Sequence, residues 1–291
     1  MHAVWICLVV FGVSLGDAQT TEWRCGRDLV SVRDTMPNAD ITLPAWQLLS
    51  GLSIHGVDEL VDPVAPDVKM RLADVEFVPE YADAALQWMR SGRQAKLEWR
   101  KLSDAPDYLG RYSVEIREQG DLAATGLAPV SWAKRLLSAG LVMALPQSGR
   151  DVLSLMSAES NAITKHAGLW ADTSADRAYL VSAMPGGGSQ QNGLMPSVHD
   201  AIGRFVVVEG KLRAVEHQEW RSYLNFGAEW HRDFTIALDD ELRSFFVGGA
   251  IFENALDDWI GRTVRVRGLV QSRGGPYIEL ANPDWLCLLT E

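Results

Sequence analysis

The C-terminal third of the chain carries a regular succession of short segments rich in β-branched and aromatic residues, and this succession constrains the fold more than any other feature. Glycines separate the segments, among them Gly210, Gly227 and Gly268. Runs of this kind, bounded by turn residues, predict short β-strands. A stretch with two acidic residues at its start, 239–246, instead favours a short helix. The predicted strands are 205–215, 222–226, 234–238, 263–270 and 277–280.

Five strands with a helix between the third and the fourth is the element order of the OB fold. Residues 203–291 are therefore predicted to form a five-stranded OB-like barrel. On the fourth predicted strand, Arg265 and Arg267 share one face because side chains alternate along a strand. Together with Tyr277 they are compatible with a small nucleic-acid platform. Their acidic neighbours favour a solvated strand face instead.

Residues 171–202 have the composition of a linker, since the stretch 184–193 is rich in Gly, Ser and Gln and shows no apolar periodicity. This linker separates a first unit, 24–170, from the second unit, 203–291. The first unit is predicted to be a β-rich, OB-like barrel with packed helices, so the whole chain is expected to be mainly β with α. Its predicted strands are 54–60, 68–77, 94–102 and 111–118, and its predicted helices are 80–90, 132–137 and 152–166.

A short apolar run at 4–13 is followed by Gly16-Asp17-Ala18. This arrangement is typical of a signal peptide, residues 1–18, cleaved near Ala18. A buried N-terminal strand is the alternative. The signal peptide predicts export to the periplasm or out of the cell. Because no other apolar run approaches membrane length, we expect the mature chain to have no membrane partner.

Cleavage of the signal peptide would remove Cys7 and leave Cys25 and Cys287, which lie near opposite ends of the chain. Two cysteines of an exported protein can form a disulfide. Cys287 follows Trp285-Leu286, however, and is equally suited to be a small buried apolar residue. From the sequence we favour two unpaired thiols.

The formal net charge of the chain is −11, and the acidic excess lies outside the middle of the first unit. Residues 66–170 carry 13 basic and 13 acidic side chains. Nucleic-acid-binding proteins normally carry a basic footprint, and no strong basic patch stands out here. The composition therefore argues against an extended polyanion site, but it is compatible with a small site that holds one phosphate.

Two arginine motifs carry the functional signal. One is Arg-Leu at 71–72, and the other is Asp-Tyr-Leu-Gly-Arg at 107–111. Gly-Leu-Val at 140–142 and Gly-Leu-Trp at 168–170 flank the predicted helix between them. In this order the motifs resemble the thermonuclease family, the staphylococcal-nuclease-like phosphodiesterases, over roughly residues 50–170. Residues 203–291 resemble the small OB-like domain that is appended to some bacterial members.

The resemblance implies hydrolysis of phosphodiester bonds in DNA or RNA. It makes Glu80 the general base that activates a water molecule. It makes Arg71 and Arg111 the clamps that offset the negative charge of the phosphorane. Asp58 and Glu76 would hold Ca²⁺, which prefers oxygen ligands.

The chain departs from the family pattern near each of these acids. Glu76 replaces an aspartate, one residue is inserted before Glu80, and the first acidic turn lacks one acid and a threonine. The two arginines are also suited to structural ion pairs, with Asp107 or Asp74 as a partner, and Glu80 is suited to a helix N-terminus. The alternative function is therefore an inactive nuclease-fold protein that serves as a binding or scaffold module of the cell envelope. The sequence does not indicate an oligomeric state.

Overall fold

The computed structural model describes residues 22–29, 44–92, 96–119, 129–190, 193–229, 231–245 and 256–290. The predicted signal peptide, residues 1–18, lies outside these ranges. The described chain is mainly β, with helices packed against the sheets, as predicted. As paired, none of the sheets in these ranges closes into a barrel. No described helix is long and apolar enough to cross a lipid bilayer.

Short strands make up most of the regular structure. In chain order the described strands are β1 Glu22–Cys25, β2 Gln47–Leu49, β3 Ser53–Gly56, β4 Glu59–Asp62, β5 Ala65–Leu72, β6 Val75–Glu76, β7 Leu97–Lys101, β8 Arg111–Glu118, β9 Met143–Ala144, β10 Leu180–Ser182, β11 Gly188–Gln190, β12 Gly193–Met195, β13 Phe205–Lys211, β14 Ala214–His217, β15 Arg221–Asn225, β16 Thr235–Asp239, β17 Thr263–Leu269, β18 Gln271–Arg273, β19 Gly275–Glu279 and β20 Leu286–Thr290.

The described α-helices are α1 Ala82–Gly92, α2 Trp132–Ser138, α3 Val152–Thr164 and α4 Asp240–Phe245. Ser131 caps α2, because its side chain accepts a hydrogen bond from the amide of Lys134. The predicted helix 80–90 divides into two parts, a 3₁₀ turn at Pro79–Tyr81 and α1. Pro79 accounts for this start, since proline is tolerated in the first turn of a helix but not in its interior.

Two glycines allow the ends of α2 and α3 to touch. Gly140 (φ +65°) follows α2 and Gly168 (φ +54°) follows α3, and the Leu169 amide donates to the Gly140 carbonyl at 2.9 Å. A Cβ atom on Gly168 would lie 2.1 Å from that carbonyl oxygen. Only glycine combines the left-handed conformation with such a close approach. The contact joins the motifs at 140–142 and 168–170.

The first half of the chain is built on a six-stranded sheet with the order β2-β7-β8-β5-β4-β3. All neighbours are antiparallel except β5 and β8, which are parallel and pair Lys69 with Arg111 and Arg71 with Ser113. Alternate side chains on these two strands are buried. They form the core with the covered faces of α1, α2 and α3, and its members include Met70, Leu72, Met89, Val114, Ile116, Trp132, Leu136 and Leu155.

The second half contains two five-stranded sheets, β1-β20-β17-β13-β10 and β14-β15-β16-β19-β18. Only residues 212–213 separate β13 from β14, and only Val270 separates β17 from β18, so two nearly continuous strands connect the sheets. All pairs are antiparallel except β10 with β13 and β16 with β19. The core between the sheets includes Val206, Val208, Phe234, Ile236, Val266 and Ile278.

The segment predicted to be a linker, 171–202, contributes to this second core. Its strand β10 pairs with β13, and Ala178, Val181 and Val198 are fully buried. The Gly-, Ser- and Gln-rich stretch 184–193 leads into the hairpin of β11 and β12 and forms its first part. The segment therefore behaves as an integral part of the second half where it is described.

Arg267 is buried between the two halves, so the solvated strand face predicted for it and Arg265 is wrong, and so is the nucleic-acid platform. Arg267 is 1% exposed and pairs with Glu159 of α3, which is 0% exposed, at 2.7 Å. Arg267 also donates to the carbonyl of Ala144, whose amide donates to Glu159 at 2.8 Å. These bonds satisfy the terminal nitrogens of the buried guanidinium, whereas its Nε makes no hydrogen bond to the described residues.

Arg265 makes a parallel set of contacts on the same strand. Its guanidinium pairs with Glu209, donates to the Ser160 hydroxyl at 2.7 Å and lies 4.1 Å from the centre of the Trp23 ring. Because Ser160 belongs to α3 and Trp23 to β1, this arginine also connects the N-terminal residues and the first half to β17. The sequence places the two arginines on one face correctly, but that face is covered by the rest of the chain.

Cys25 and Cys287 form a disulfide, which corrects the prediction of two unpaired thiols. The two residues are directly opposite each other in the antiparallel pair of β1 and β20. They are 262 residues apart in sequence. The disulfide therefore ties the start of the described chain to its last strand.

Replacing both cysteines by serine, as Cys25→Ser with Cys287→Ser, should lower the free energy of unfolding by about 2–4 kcal/mol, because the cross-link restricts the unfolded chain. Urea denaturation of the wild type with and without a phosphine reductant measures the same loss. The reductant should not change the midpoint of the double variant. Equal midpoints for oxidised and reduced wild type would contradict the prediction.

Glu159→Leu should cost about 3–5 kcal/mol, because it leaves the Arg267 charge buried without a partner. Replacing both residues by leucine should recover much of this loss. The matched control is Glu118→Leu in the more exposed Arg135–Glu118 pair (40% and 33% exposed), which should cost less than about 1 kcal/mol. Chemical denaturation of the four proteins checks the order, and a control as costly as Glu159→Leu would contradict it.

Candidate functional site

The loop before β8 holds Arg111 in a defined position. One oxygen of the Asp107 carboxylate accepts the amides of Leu109 and Arg111, both at 2.9 Å. The other oxygen accepts Arg111 Nε at 2.9 Å and lies 2.8 Å from an Nη atom. Burial opposes ionisation of Asp107, but these bonds and the Arg111 charge outweigh it and hold its pKa below the usual range. Asp107 is therefore the ion-pair partner that the sequence left open between Asp107 and Asp74.

Asp74 has a different task. It adopts a left-handed backbone conformation (φ 61°), and its carboxylate accepts the amides of Gln147 and Ser148 at 2.8 Å and the Ser148 hydroxyl at 2.6 Å. These bonds fasten the loop after β9 to the turn between β5 and β6. Asp74 thus stabilises the frame of the site.

Arg111 also reaches the turn between β3 and β4. A terminal nitrogen of its guanidinium lies 3.4 Å from the Asp58 carbonyl oxygen and 3.9 Å from the Asp58 carboxylate. Although burial opposes the charged form, the two aspartates raise the pKa of Arg111, which stays cationic. The structure therefore brings Asp58 and Arg111, 53 residues apart, into one site.

Arg71 lies on the same side of the sheet as Arg111. Arg111 is paired with Lys69, and Arg71 is two residues further along β5. Side chains two apart share a face, so the alternation that buries Met70 and Leu72 turns both arginines outward. Among the described residues, Arg71 Nε makes no hydrogen bond although the atom is buried. One guanidinium of the pair thus retains an unused donor.

Glu76 on β6 completes this group. Burial raises the pKa of Glu76, the nearby Asp58 raises it further, and Arg71 acts in the opposite direction. The carboxyl group therefore takes up a proton more readily than an exposed glutamate does. Asp58, Arg71, Glu76, Asp107 and Arg111 together form what we call the arginine–carboxylate cluster.

Glu80 has other partners. It lies in the 3₁₀ turn Pro79–Tyr81, and its carboxylate accepts the Tyr179 hydroxyl at 2.5 Å. That hydrogen bond lowers the pKa of Glu80, and the charges of Arg204 and Arg177 act in the same direction. Within the described ranges no hydrogen bond or ion pair links Glu80 to the arginine–carboxylate cluster. Four of the five predicted site residues are therefore brought together, and the fifth is held by a tyrosine from the predicted linker.

Sequence reasoning missed the contact of Tyr179 with Glu80, and it left open whether Asp107 pairs with an arginine. Asp107 could be recognised locally, because an aspartate four residues before an arginine in a Gly-containing loop can bond to the loop backbone. Tyr179 had no such signal, since it precedes β10 and is 99 residues from Glu80.

The described residues contain no group of three or more His, Cys, Asp or Glu placed to hold a metal ion. Asp58 and Glu76 are close enough to interact electrostatically, but they are two acids. Ca²⁺ takes six to eight oxygen ligands, so these side chains supply a small part of its usual shell.

A serine–histidine–aspartate chain in the second half is structural. His217 contacts the Ser222 hydroxyl at 3.1 Å and the Asp257 carboxylate at 3.2 Å. Ser222 is 0% exposed, so its oxygen is out of reach of a substrate. A nucleophile must be able to approach the reacting atom, and this chain therefore does not define a hydrolase site.

No protein-family model matches this chain, and no curated protein matches it. The resemblance to thermonucleases therefore rests on the sequence motifs.

Glu76→Gln should raise the melting temperature at pH 8, since it removes a carboxylate whose charged form the fold disfavours. The folded-state pKa is above the unfolded one, so the folded protein binds more protons between the two values and stability falls as pH rises through that interval. The advantage of the variant should shrink towards pH 4. Thermal unfolding from pH 4 to 8 checks this, with Glu59→Gln on β4 as the control that should show no gain. A gain of equal size at every pH would contradict the prediction.

Proposed function

We propose that the arginine–carboxylate cluster binds the phosphate of a DNA or RNA phosphodiester and that the protein hydrolyses this bond as a divergent thermonuclease-like enzyme. The observation that carries the proposal is the position of Arg71 and Arg111 on one face of two adjacent parallel strands. Guanidinium groups bind phosphate oxygens through two parallel hydrogen bonds. Arg71 would supply the second guanidinium to the phosphate through its terminal nitrogens, since its Nε is buried.

Arg111 would contribute mainly charge. Its Nε and one terminal nitrogen are engaged by Asp107, and the remaining terminal nitrogen has only longer contacts to Asp58, at 3.4 and 3.9 Å. That nitrogen can donate to a phosphate that approaches in the plane of the guanidinium, without breaking the bonds to Asp107. A preoriented cation of this kind stabilises the charge that develops in the transition state.

The reaction needs a base that takes a proton from water while the water oxygen forms a bond to phosphorus. The ester oxygen then leaves and takes up a proton. The resemblance assigns this role to Glu80, but the electrostatic environment favours Glu76, because burial and the charge of Asp58 raise the pKa of Glu76. A carboxylate whose pKa is shifted towards neutrality is a better base at pH 7.

Calcium remains a proposal that Asp58 and Glu76 support only in part. With two carboxylates, backbone carbonyls and water would have to supply most of the ligands. The proposed reaction therefore contains no step that depends on the ion. A rise in melting temperature on adding Ca²⁺, lost in Asp58→Asn, is the measurement that detects it.

The strand order supports an OB-type architecture for both halves. In the first half, β2 and β3 are the two edge strands of the sheet and are separated by residues 50–52, so one bent strand would join both edges. In the second half, β13 with β14 and β17 with β18 connect the two sheets in the same way. With these joined strands counted as one, each half has a set of five strands. Each set includes one parallel pair, β5 with β8 in the first half and β16 with β19 in the second. We propose that each set forms an OB-like barrel.

The disulfide supports export. Disulfides persist in oxidising compartments such as the periplasm or the extracellular space and are rare in the cytosol. The Cys25–Cys287 bond is therefore consistent with the proposed signal peptide and with a periplasmic or secreted protein.

A second candidate function is an inactive nuclease-fold module that binds or organises partners in the cell envelope. The hydrogen bond between Glu80 and Tyr179 favours it, because the residue that would serve as base in the family is occupied. A protein of this kind would retain the fold and lose hydrolysis.

Arg71→Ala and Arg111→Ala should each reduce cleavage by about a hundredfold or more, because each removes a preoriented donor to the phosphate. Labelled single-stranded DNA, incubated with the mature protein in Ca²⁺ or in EDTA and followed by gel electrophoresis, measures the rate. Glu76→Gln should lower the rate more than Glu80→Gln. Arg135→Ala, which removes an arginine outside the cluster, is the matched control and should cleave as the wild type does.

The inactive module makes the opposite prediction. It requires that the wild type does not cleave DNA or RNA and that Ca²⁺ leaves its melting temperature unchanged. Cleavage that survives in Arg71→Ala and Arg111→Ala would also contradict the proposal, since the activity would then come from elsewhere.

A further inference from the structure

The turn before β8 presents an aromatic side chain that is almost fully exposed. Tyr108 is 93% exposed, whereas the other five tyrosines of the chain are buried or half-buried. Among the described residues, no hydrogen bond or ring contact involves the Tyr108 side chain. A single exposed ring is ordinary on a protein surface, so the importance of this one depends on where it lies.

Hydrogen bonds on both sides of Tyr108 fix the backbone that carries it. The Gly110 amide donates to the Asp107 carbonyl and the Asp107 amide donates to the Arg111 carbonyl, both at 2.9 Å. The Asp107 carboxylate also accepts the amides of Leu109 and Arg111. Gly110 completes the turn in the left-handed region (φ +77°), which favours glycine. The Tyr108 ring is therefore a free side chain on a fixed support, and such preorganisation lowers the entropy cost of binding.

The same turn leads directly into Arg111 of the arginine–carboxylate cluster. Burial lowers the pKa of Arg111, and Asp107, Asp58 and Tyr108 act in the opposite direction. Tyr108 therefore lies within electrostatic reach of the Arg111 guanidinium. Leu109, which is 51% exposed, adds apolar surface beside the ring. A ligand whose phosphate contacts Arg111 would thus have an uncovered aromatic ring as its neighbour.

The charges of the arginine–carboxylate cluster favour a ligand that is held by more than its phosphate. The cluster contains three carboxyl groups for its two guanidinium groups, in a chain of net charge −11. High affinity for long nucleic acids comes from many phosphate contacts on a basic surface, which this composition does not provide. The base of a nucleotide is flat and uncharged, and it binds to an aromatic ring by stacking whatever the net charge. An exposed ring beside the cluster would supply the attraction that the charges do not.

We propose that Tyr108 stacks on a base next to the phosphate held by Arg111 and Arg71, and that the substrate of the site is therefore a single strand. This inference rests on the proposed function, since it concerns the same site. In a duplex each base is paired and stacked between its neighbours, so its face becomes available only after costly unstacking. In a single strand the faces are accessible, and stacking tolerates any base. The protein should thus act on unpaired segments with little sequence preference.

Steady-state cleavage of a labelled single-stranded oligonucleotide by the full mature chain measures the contribution of Tyr108. Tyr108→Ala should raise KM about tenfold or more with little change in kcat, as expected for the loss of one stacking platform. Tyr108→Phe keeps the ring and should behave nearly as the wild type does. Trp220→Ala removes another exposed aromatic side chain, in the turn between β14 and β15, and is the matched control that should leave KM unchanged. Because Tyr108 is so exposed, its removal should leave thermal unfolding unchanged.

Strands that each lack one base at a different position test the stacking directly. The wild type should cleave about tenfold less efficiently when the missing base lies next to the cleaved bond. Tyr108→Ala should be insensitive to this loss, because a ring and the base stacked on it form one interaction, which can be removed only once. Annealing the complementary strand should lower kcat/KM of the wild type by about tenfold or more and that of Tyr108→Ala much less.

Fluorescence anisotropy with the same strands in EDTA separates this inference from the hydrolysis itself. Cleavage with a KM that Tyr108→Ala leaves unchanged would overturn the role of Tyr108 and leave the hydrolysis in place. Binding that requires Tyr108 and the neighbouring base, without cleavage by the wild type, would overturn the hydrolysis and support the base contact. Equal cleavage of duplex and single strand, or the absence of both binding and cleavage, would overturn the inference.

Discussion

The buried ion pair between Arg267 and Glu159 is the interaction on which the arrangement of the two halves depends. A guanidinium group in the protein interior is costly unless charge and hydrogen bonds both compensate it. Among the described residues, Arg267 finds its partners outside its own sheet, at Glu159 and Met156 of α3 and at the Ala144 carbonyl of β9. The ion pair therefore links the two halves of the described chain.

The docking of the halves also determines which groups of the nuclease-like motifs are available. The chain segment before β10 becomes part of the second core, and this places Tyr179 against Glu80. Local pairing of β5 with β8 and the neighbouring turns instead position Arg71, Arg111, Asp58 and Glu76. The proposed phosphate site thus lies on the six-stranded sheet of the first half.

Local features were predictable because they depend on short-range physics. Strand β8 occupies 111–118 as predicted, and α2 and α3 lie within one or two residues of the helices expected at 132–137 and 152–166. Alternation along strands and turn chemistry around glycine carry this information in a few neighbouring residues. The sequence did not reveal the disulfide, the burial of Arg265 and Arg267, or the folding of 171–202 into a core, because each depends on a partner far along the chain.

The sequence by itself determined the mainly β class, the positions of strands such as β7, β8, β15, β16 and β17, and the presence of two arginine motifs with nearby acids. Periodicity and composition suffice for these features, since they arise from the preference of each short segment for one buried face. Only the tertiary structure decided that Glu159 and Arg267 pair, that Cys25 and Cys287 bond, and that Glu80 meets Tyr179. Such contacts are selected by how complete sheets and helices dock, and the separation of their partners along the chain leaves no local trace.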